Sequence, residues 1–217
     1  MKILFISDTH CFHDELTIPK DIDMIIHSGD STNVRNQFNN IPEAREFLHW
    51  YDSLNVKYKI FVAGNHDTSI EQKLINPRDY SSISYLEHES ITIEGINIFG
   101  SPYIPEFYNW AFNVRKDRLH NYWSAIPDNT NILVTHGPPK YIMDLSKDIN
   151  GKLEFCGDNA LYKRVLDLKE CKYHSFGHIH ESDECYNKGI RKLNDSNTIF
   201  INASCVTDSK FHLGLTS

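Results

Sequence analysis

Five short polar blocks punctuate the chain, each closing an apolar run. Asp8-Thr9-His10 comes after Ile3-Leu4-Phe5-Ile6, Gly29-Asp30 after Met24-Ile25-Ile26, and Gly64-Asn65-His66-Asp67 after Ile60-Phe61-Val62-Ala63. His136-Gly137 ends Ile132-Leu133-Val134, and Gly177-His178-Ile179-His180 ends the run from Tyr173 to Phe176. Runs this short, ending in Gly, Asp or His, read as buried strands that stop at functional loops. Such strands restrict the chain to an α/β architecture whose strand ends gather at one edge. Seven donors would meet there, namely Asp8, His10, Asp30, Asn65, His136, His178 and His180. Two adjacent metal ions need about that many ligands.

The bulk properties narrow the partners. The 217 residues fit one α/β domain with a full core, and no linker, repeat or low-complexity tract divides them. Residues 1–217 therefore read as a single domain. A net charge of −7 opposes a broad basic footprint, so long nucleic acid is not an expected partner. Cys11, Cys156, Cys171, Cys185 and Cys205 form no C-x-x-C pair and are odd in number, which suggests reduced thiols in a cytoplasmic protein. The N-terminal apolar run is too short for a signal peptide, and no stretch approaches the ~20 apolar residues of a membrane span. The chain is silent on its oligomeric state.

Periodicity predicts strands over about 2–7, 23–28, 58–63, 130–135, 173–177, 184–188 and 198–202, with a hairpin turning at Glu94-Gly95. A helix is expected to begin near Pro42, with Ala44, Phe47, Leu48 and Tyr51 on one stripe. Further helices are expected around 115–125 and near 158–169, the latter capped by Asp158 and burying Leu161, Val165 and Leu168. The proline-broken aromatic segment 101–114 reads as a structured loop, and a long loop runs from His136 through Gly157. Two sheets packed face to face with helices outside follow from this order.

The blocks suit dinuclear chemistry. Asp8 and His10, two residues apart, both reach one ion, and Gly29 lets the chain turn sharply so that Asp30 can bridge two. Asn65 supplies a neutral oxygen, while the three later histidines add imidazoles. Such mixed donors suit Mn²⁺, Fe or Zn²⁺ better than Mg²⁺.

The ordered set D-x-H, G-D, G-N-H-[DE], H-G and G-H-x-H resembles the signature of the calcineurin-like metallophosphoesterases, from Asp8 to His180. Thr135-His136-Gly137-Pro138-Pro139, Asn202-Ala203-Ser204 and the Ser101-Pro102 to Asn113 stretch look like its small metallophosphodiesterase branch. The resemblance implies a four-layer α/β/β/α sandwich and two divalent ions, Mn²⁺ first, with Fe, Zn²⁺, Ni²⁺ or Mg²⁺ as alternatives. It assigns Asp8, His10, Asp30 and His180 to one ion, and Asp30, Asn65, His136 and His178 to the other, with a bridging hydroxide as nucleophile. It makes His66 a non-ligand that stabilises the phosphoryl oxygen or protonates the leaving group, with Asp67 orienting it. Cys11 after His10, and Ser31-Thr32-Asn33 after Asp30, depart from the protein Ser/Thr phosphatases of that superfamily.

The expected reaction is hydrolysis of a small phosphodiester, for example a cyclic nucleotide or nucleotide ester. Phosphomonoester hydrolysis and a non-catalytic metal-binding scaffold are the alternatives. Asn65 and His66, with Arg35 and Tyr108, are candidate substrate contacts, and Tyr103, Phe107 and Trp110 could wall the site. His27 and His174 read as packing or supporting residues, His13 as a possible pocket residue, and His49, His88, His120 and His212 as surface or packing residues.

Overall fold

The computed structural model describes residues 1–207, so His212 lies outside the described residues. In chain order the elements are β1 (Ile3–Ile6), β2 (Met24–His27), α1 (Gln37–Ser53), β3 (Tyr58–Phe61), α2 (Thr68–Glu71), β4 (Ile83–Tyr85), β5 (Glu89–Ile93) and β6 (Ile96–Ser101). There follow β7 (Ile104–Pro105), β8 (Asn113–Val114), α3 (Leu119–Ser124), β9 (Ile132–Thr135), β10 (Leu145–Lys147) and β11 (Leu153–Phe155). The last described elements are α4 (Asn159–Asp167), β12 (Tyr173–Phe176), β13 (Gly189–Lys192) and β14 (Ile199–Asn202).

Two sheets form the centre. One is β1-β2-β3-β4, parallel throughout. The other is β13-β14-β12-β9-β6-β5, with a parallel middle and an antiparallel strand at each edge. Period-2 alternation decides which layer each side chain enters. Met24, Ile26 and Ile60 of the first sheet meet Ile98, Ile132 and Val134 of the second, filling the space between sheets. Their neighbours Ile25 and Phe61 turn outward against Phe47, Leu48 and Tyr51 of α1. On the far side Leu133, Phe176 and Phe200 meet Trp123 of α3 and Leu161 and Val165 of α4. Three stacked cores separate four layers, the expected α/β/β/α sandwich.

Several boundaries differ from expectation for physical reasons. Helix α1 starts at Gln37 rather than near Pro42, because the Asn36 side chain accepts hydrogen bonds from the Phe38 and Asn39 amides and caps it earlier. Pro42 then sits inside the helix on its exposed face, forfeiting one helical hydrogen bond. The strand expected at 184–188 is instead β13 at Gly189–Lys192, since Ser182 and Cys185 pair tightly and delay it. Strand β4 and the β10–β11 hairpin within the expected long loop carry too little periodicity to be read. The 101–114 segment is a loop, closed by the two-residue ladder of β7 and β8. Helix α4 begins as expected, with Asp158 accepting from the Leu161 amide.

Candidate metal centre

Strands β1, β2 and β3 end on one side of the sandwich, and β9 and β12 end opposite them. The two sheets meet there through Ser28 and Ser175, whose hydroxyls lie 2.8 Å apart, and through the Cys205 amide bonded to the Ser7 carbonyl at 2.9 Å. Ligands commonly bind outside such carboxyl ends. The backbone is forced there. Asp8, His10, Asp30 and His178 take positive φ of 52°, 41°, 56° and 68°, where L residues are uncommon. Gly29 has φ 107°, and a Cβ on it would strike His136; a Cβ on Gly177 would strike the Asp8 carboxylate.

The side chains form two adjoining groups. Donor atoms of Asp8, His10 and His180 lie within 4.8 Å of one another, as do those of Asp30, His136 and His178. Asp30 faces both, with Oδ1 3.4 Å from His136 Nε2 and Oδ2 3.8 Å from His10 Nε2. Asn65 Oδ1 joins the second group, 2.7 Å from His136 Nε2.

Backbone carbonyls turn the Nε2 atoms of two imidazoles inward. His10 Nδ1 lies 3.0 Å from the Thr32 carbonyl and His136 Nδ1 lies 2.9 Å from the Ser28 carbonyl. A carbonyl only accepts, so each Nδ1 carries a proton and each Nε2 is left to face the site, with a lone pair on the neutral His10 ring. His10 Nε2 is buried with no hydrogen-bond partner, and so is Asn65 Nδ2. A proton on His136 Nε2 would donate to Asn65 Oδ1 at 2.7 Å, and a divalent ion would take that proton's place. The electrostatics agree. Burial opposes charge on Asp8, yet His180 and its hydrogen bond hold that carboxyl below its usual range. Burial likewise opposes charge on Asp30, but His136 and His66 keep it well below. His136 is raised to about 9 in spite of burial, chiefly by Asp30. Burial instead lowers His178 to about 3, which keeps its lone pair free. The site attracts positive charge, and its donor set fits divalent ions.

His66 lies beside this cluster, its ring centroid 4.8 Å from that of His10. Its amide donates to Asp30 Oδ1 at 2.7 Å, and its Nδ1 donates to the Asn33 carbonyl at 2.9 Å. Asp67 does not orient it, contrary to the expectation from sequence. The fully buried Asp67 carboxylate accepts from the amides of Gly64, Asp30, Ser31 and Thr32 and from the Ser31 and Thr32 hydroxyls. Burial and the Asp30 charge push its pKa up, while these donors oppose the rise. Asn40, which sequence reading missed, braces the same region by donating to the Thr32 hydroxyl and the His66 carbonyl. It sits in a helix with no motif around it, so residue type gave no signal.

The aromatic segment contributes one ring. Trp110 lies 5.2 Å from His66 and 6.3 Å from His178, centroid to centroid, and the Arg35 guanidinium stacks 4.1 Å above it. Phe107 backs Trp110 at 5.5 Å. Tyr108 stands further out, 68% exposed, with its ring against Phe107. Tyr103 packs with His88, Phe112 and Tyr122 and is not part of the wall. His27 is a supporting residue: its Nδ1 accepts from the Gly29 amide, so its Nε2 donates to the Thr9 hydroxyl. His174 is buried, with Nε2 2.8 Å from the Thr135 hydroxyl, and His13 turns away from the site onto α1.

A two-sheet sandwich with buried carboxylates and imidazoles gathered at its strand ends is a scaffold suited to holding metal ions. The chain belongs to the calcineurin-like phosphoesterase family, whose model matches residues 1–182. It is 32% identical to human metallophosphoesterase domain-containing protein 1 over 95% of this chain and 66% of that protein, so it spans slightly under two thirds of that relative's length. A UPF0046 protein of Caenorhabditis elegans is 34% identical over 94% of this chain and 69% of its own. A solved structure described as a novel archaeal phosphodiesterase aligns with a TM-score of 0.45 and 16% identity, covering 94% of this chain and 85% of that one.

Proposed function

We propose that the chain hydrolyses a small phosphodiester, with a nucleotide or cyclic nucleotide ester as the substrate class, using two divalent ions of which Mn²⁺ is the first choice. One observation carries this reading: the Asp30 carboxylate directs one oxygen to each of two donor groups. Asp8, His10, Asp30 and His180 would hold one ion; Asp30, Asn65, His136 and His178 would hold the other. When bound, the ions would supply charge to clamp the phosphoryl oxygens and to acidify a water. The remaining work falls to side chains. With Nδ1–H committed to Asn33, His66 carries its transferable proton on Nε2 and delivers it to the leaving oxygen. Trp110 offers a face to a planar substrate group, and Arg35 a guanidinium to its phosphate. Tyr108 has no part in this reading. The five cysteines are free, which supports a reducing compartment such as the cytoplasm. No helix of the described residues is long and apolar enough to cross a membrane.

The test compares Mn²⁺-supported hydrolysis of a bis-aryl and a mono-aryl phosphate, followed by cyclic and linear nucleotide esters. Faster diester turnover is expected, and Asp30→Asn should remove it by more than the roughly 10²–10³-fold that losing one charge-stabilising donor costs. Preference for the monoester would replace this reading with a phosphatase. No turnover by protein holding two metals would end the enzyme reading.

A further inference from the structure

Three residues beyond His10 the chain makes a single 3-10 turn, His13–Glu15, which packs against α1. The His13 ring is 1% exposed and lies 5.6 Å from Phe47 and 4.9 Å from Trp50, centroid to centroid. Neither of its nitrogens has a hydrogen-bond partner. Such an orphan is uncommon, because buried polar groups are nearly always paired. One His13 nitrogen and the carboxylate oxygens of Asp14 and Glu46 lie within 4.8 Å of one another, and both acids are exposed. No hydrogen bond or ion pair engages either acidic side chain among the described residues.

We propose that His13, Asp14 and Glu46 form a further metal site, separate from the strand-end cluster, for a borderline divalent ion such as Zn²⁺. One imidazole with two carboxylates suits Zn²⁺, Co²⁺ or Ni²⁺, whereas Ca²⁺ or Mg²⁺ asks for more oxygens. The packed imidazole is fixed in place by its two aromatic neighbours. The exposed carboxylates are free to swing inward, towards the roughly 2.0–2.2 Å bonds that zinc makes. Water completes the coordination. An ion there ties the turn that follows the Asp8–His10 loop to α1, so its role is structural. It does not depend on the hydrolytic reading.

Equilibrium dialysis against Zn²⁺ with metal analysis, on chelator-stripped protein, tests the site. Glu46→Ala and Asp14→Ala alter exposed side chains and leave the core intact. Wild-type protein should bind one more equivalent of Zn²⁺ than either variant, or bind that equivalent at least about 10-fold more tightly. Quenching by Co²⁺ of the fluorescence that Trp50→Phe removes should also disappear in Glu46→Ala. Mn²⁺-supported turnover should stay within about twofold of wild type in both variants. Equal Zn²⁺ stoichiometry and affinity in wild type and both variants would overturn the site. So would a wild-type affinity for that equivalent weaker than about millimolar, the mark of an adventitious ion.

Discussion

Around Asp67 the floor of the cluster is buried, and one carboxylate gathers six donors from two loops. The wall that carries Trp110 is fastened more sparsely: the Ala111 amide bonds the Asn65 carbonyl at 3.1 Å and the Phe112 amide bonds Glu71 at 2.6 Å. Phe107 and Tyr108 at its crest are 52% and 68% exposed. The floor is held from several directions, so its donors keep their positions before any ligand arrives. The wall's other hydrogen bonds run largely within its own loop, from Asn113 to Phe107 and Tyr108 and from Ile104 to Phe112, so its crest is tied to the floor at fewer points. On the proposed function, the floor would fix the chemistry and the wall would select the molecule.

Removing the clamp should have the largest effect. Asp67→Ala leaves buried amides and hydroxyls unpaired and should lower unfolding stability by about 3 kcal/mol or more, read by urea denaturation. Wild-type stability in that variant would show that the floor does not depend on Asp67. His66 stands where floor and wall meet. His66→Gln should keep the metal content while turnover falls by about 10²-fold, measured by metal analysis beside steady-state kinetics; loss of one metal equivalent would make His66 a ligand instead. Trp110→Ala should act least, raising KM for a nucleotide ester about 10-fold with kcat nearly unchanged. A matching fall in kcat would move Trp110 from the wall to the floor.

The floor was more legible from sequence than the wall. Apolar runs ending in Gly, Asp or His marked β1, β2, β3 and β9, and burial on both faces accounts for the continuous hydrophobicity of β2 and β9. Strand β12, with His174 and Ser175 at its centre, was marked chiefly by the Gly-His that ends it. The donors at their ends were legible by residue type alone. Their supports were not, since the Thr32, Ser28 and Asn33 carbonyls that orient His10, His136 and His66 belong to the backbone, whatever the side chain. Asp67 was misread for the same reason: adjacency to His66 suggested a pair, while the fold turns its carboxylate towards the amides of another loop. In the wall, Trp110 could not be told from Tyr103 by sequence. Both are aromatic residues in one loop, and only the path of β7 and β8 sends one to the site and the other to the core.

The left-handed backbone at Asp8, His10, Asp30 and His178 sets folding against function at four positions. Each costs up to about 1–2 kcal/mol relative to a relaxed residue, and glycine would remove that cost. A lineage selected for thermal robustness alone would therefore drift towards glycine at these positions. It would become a sturdier protein whose centre had lost those four side chains.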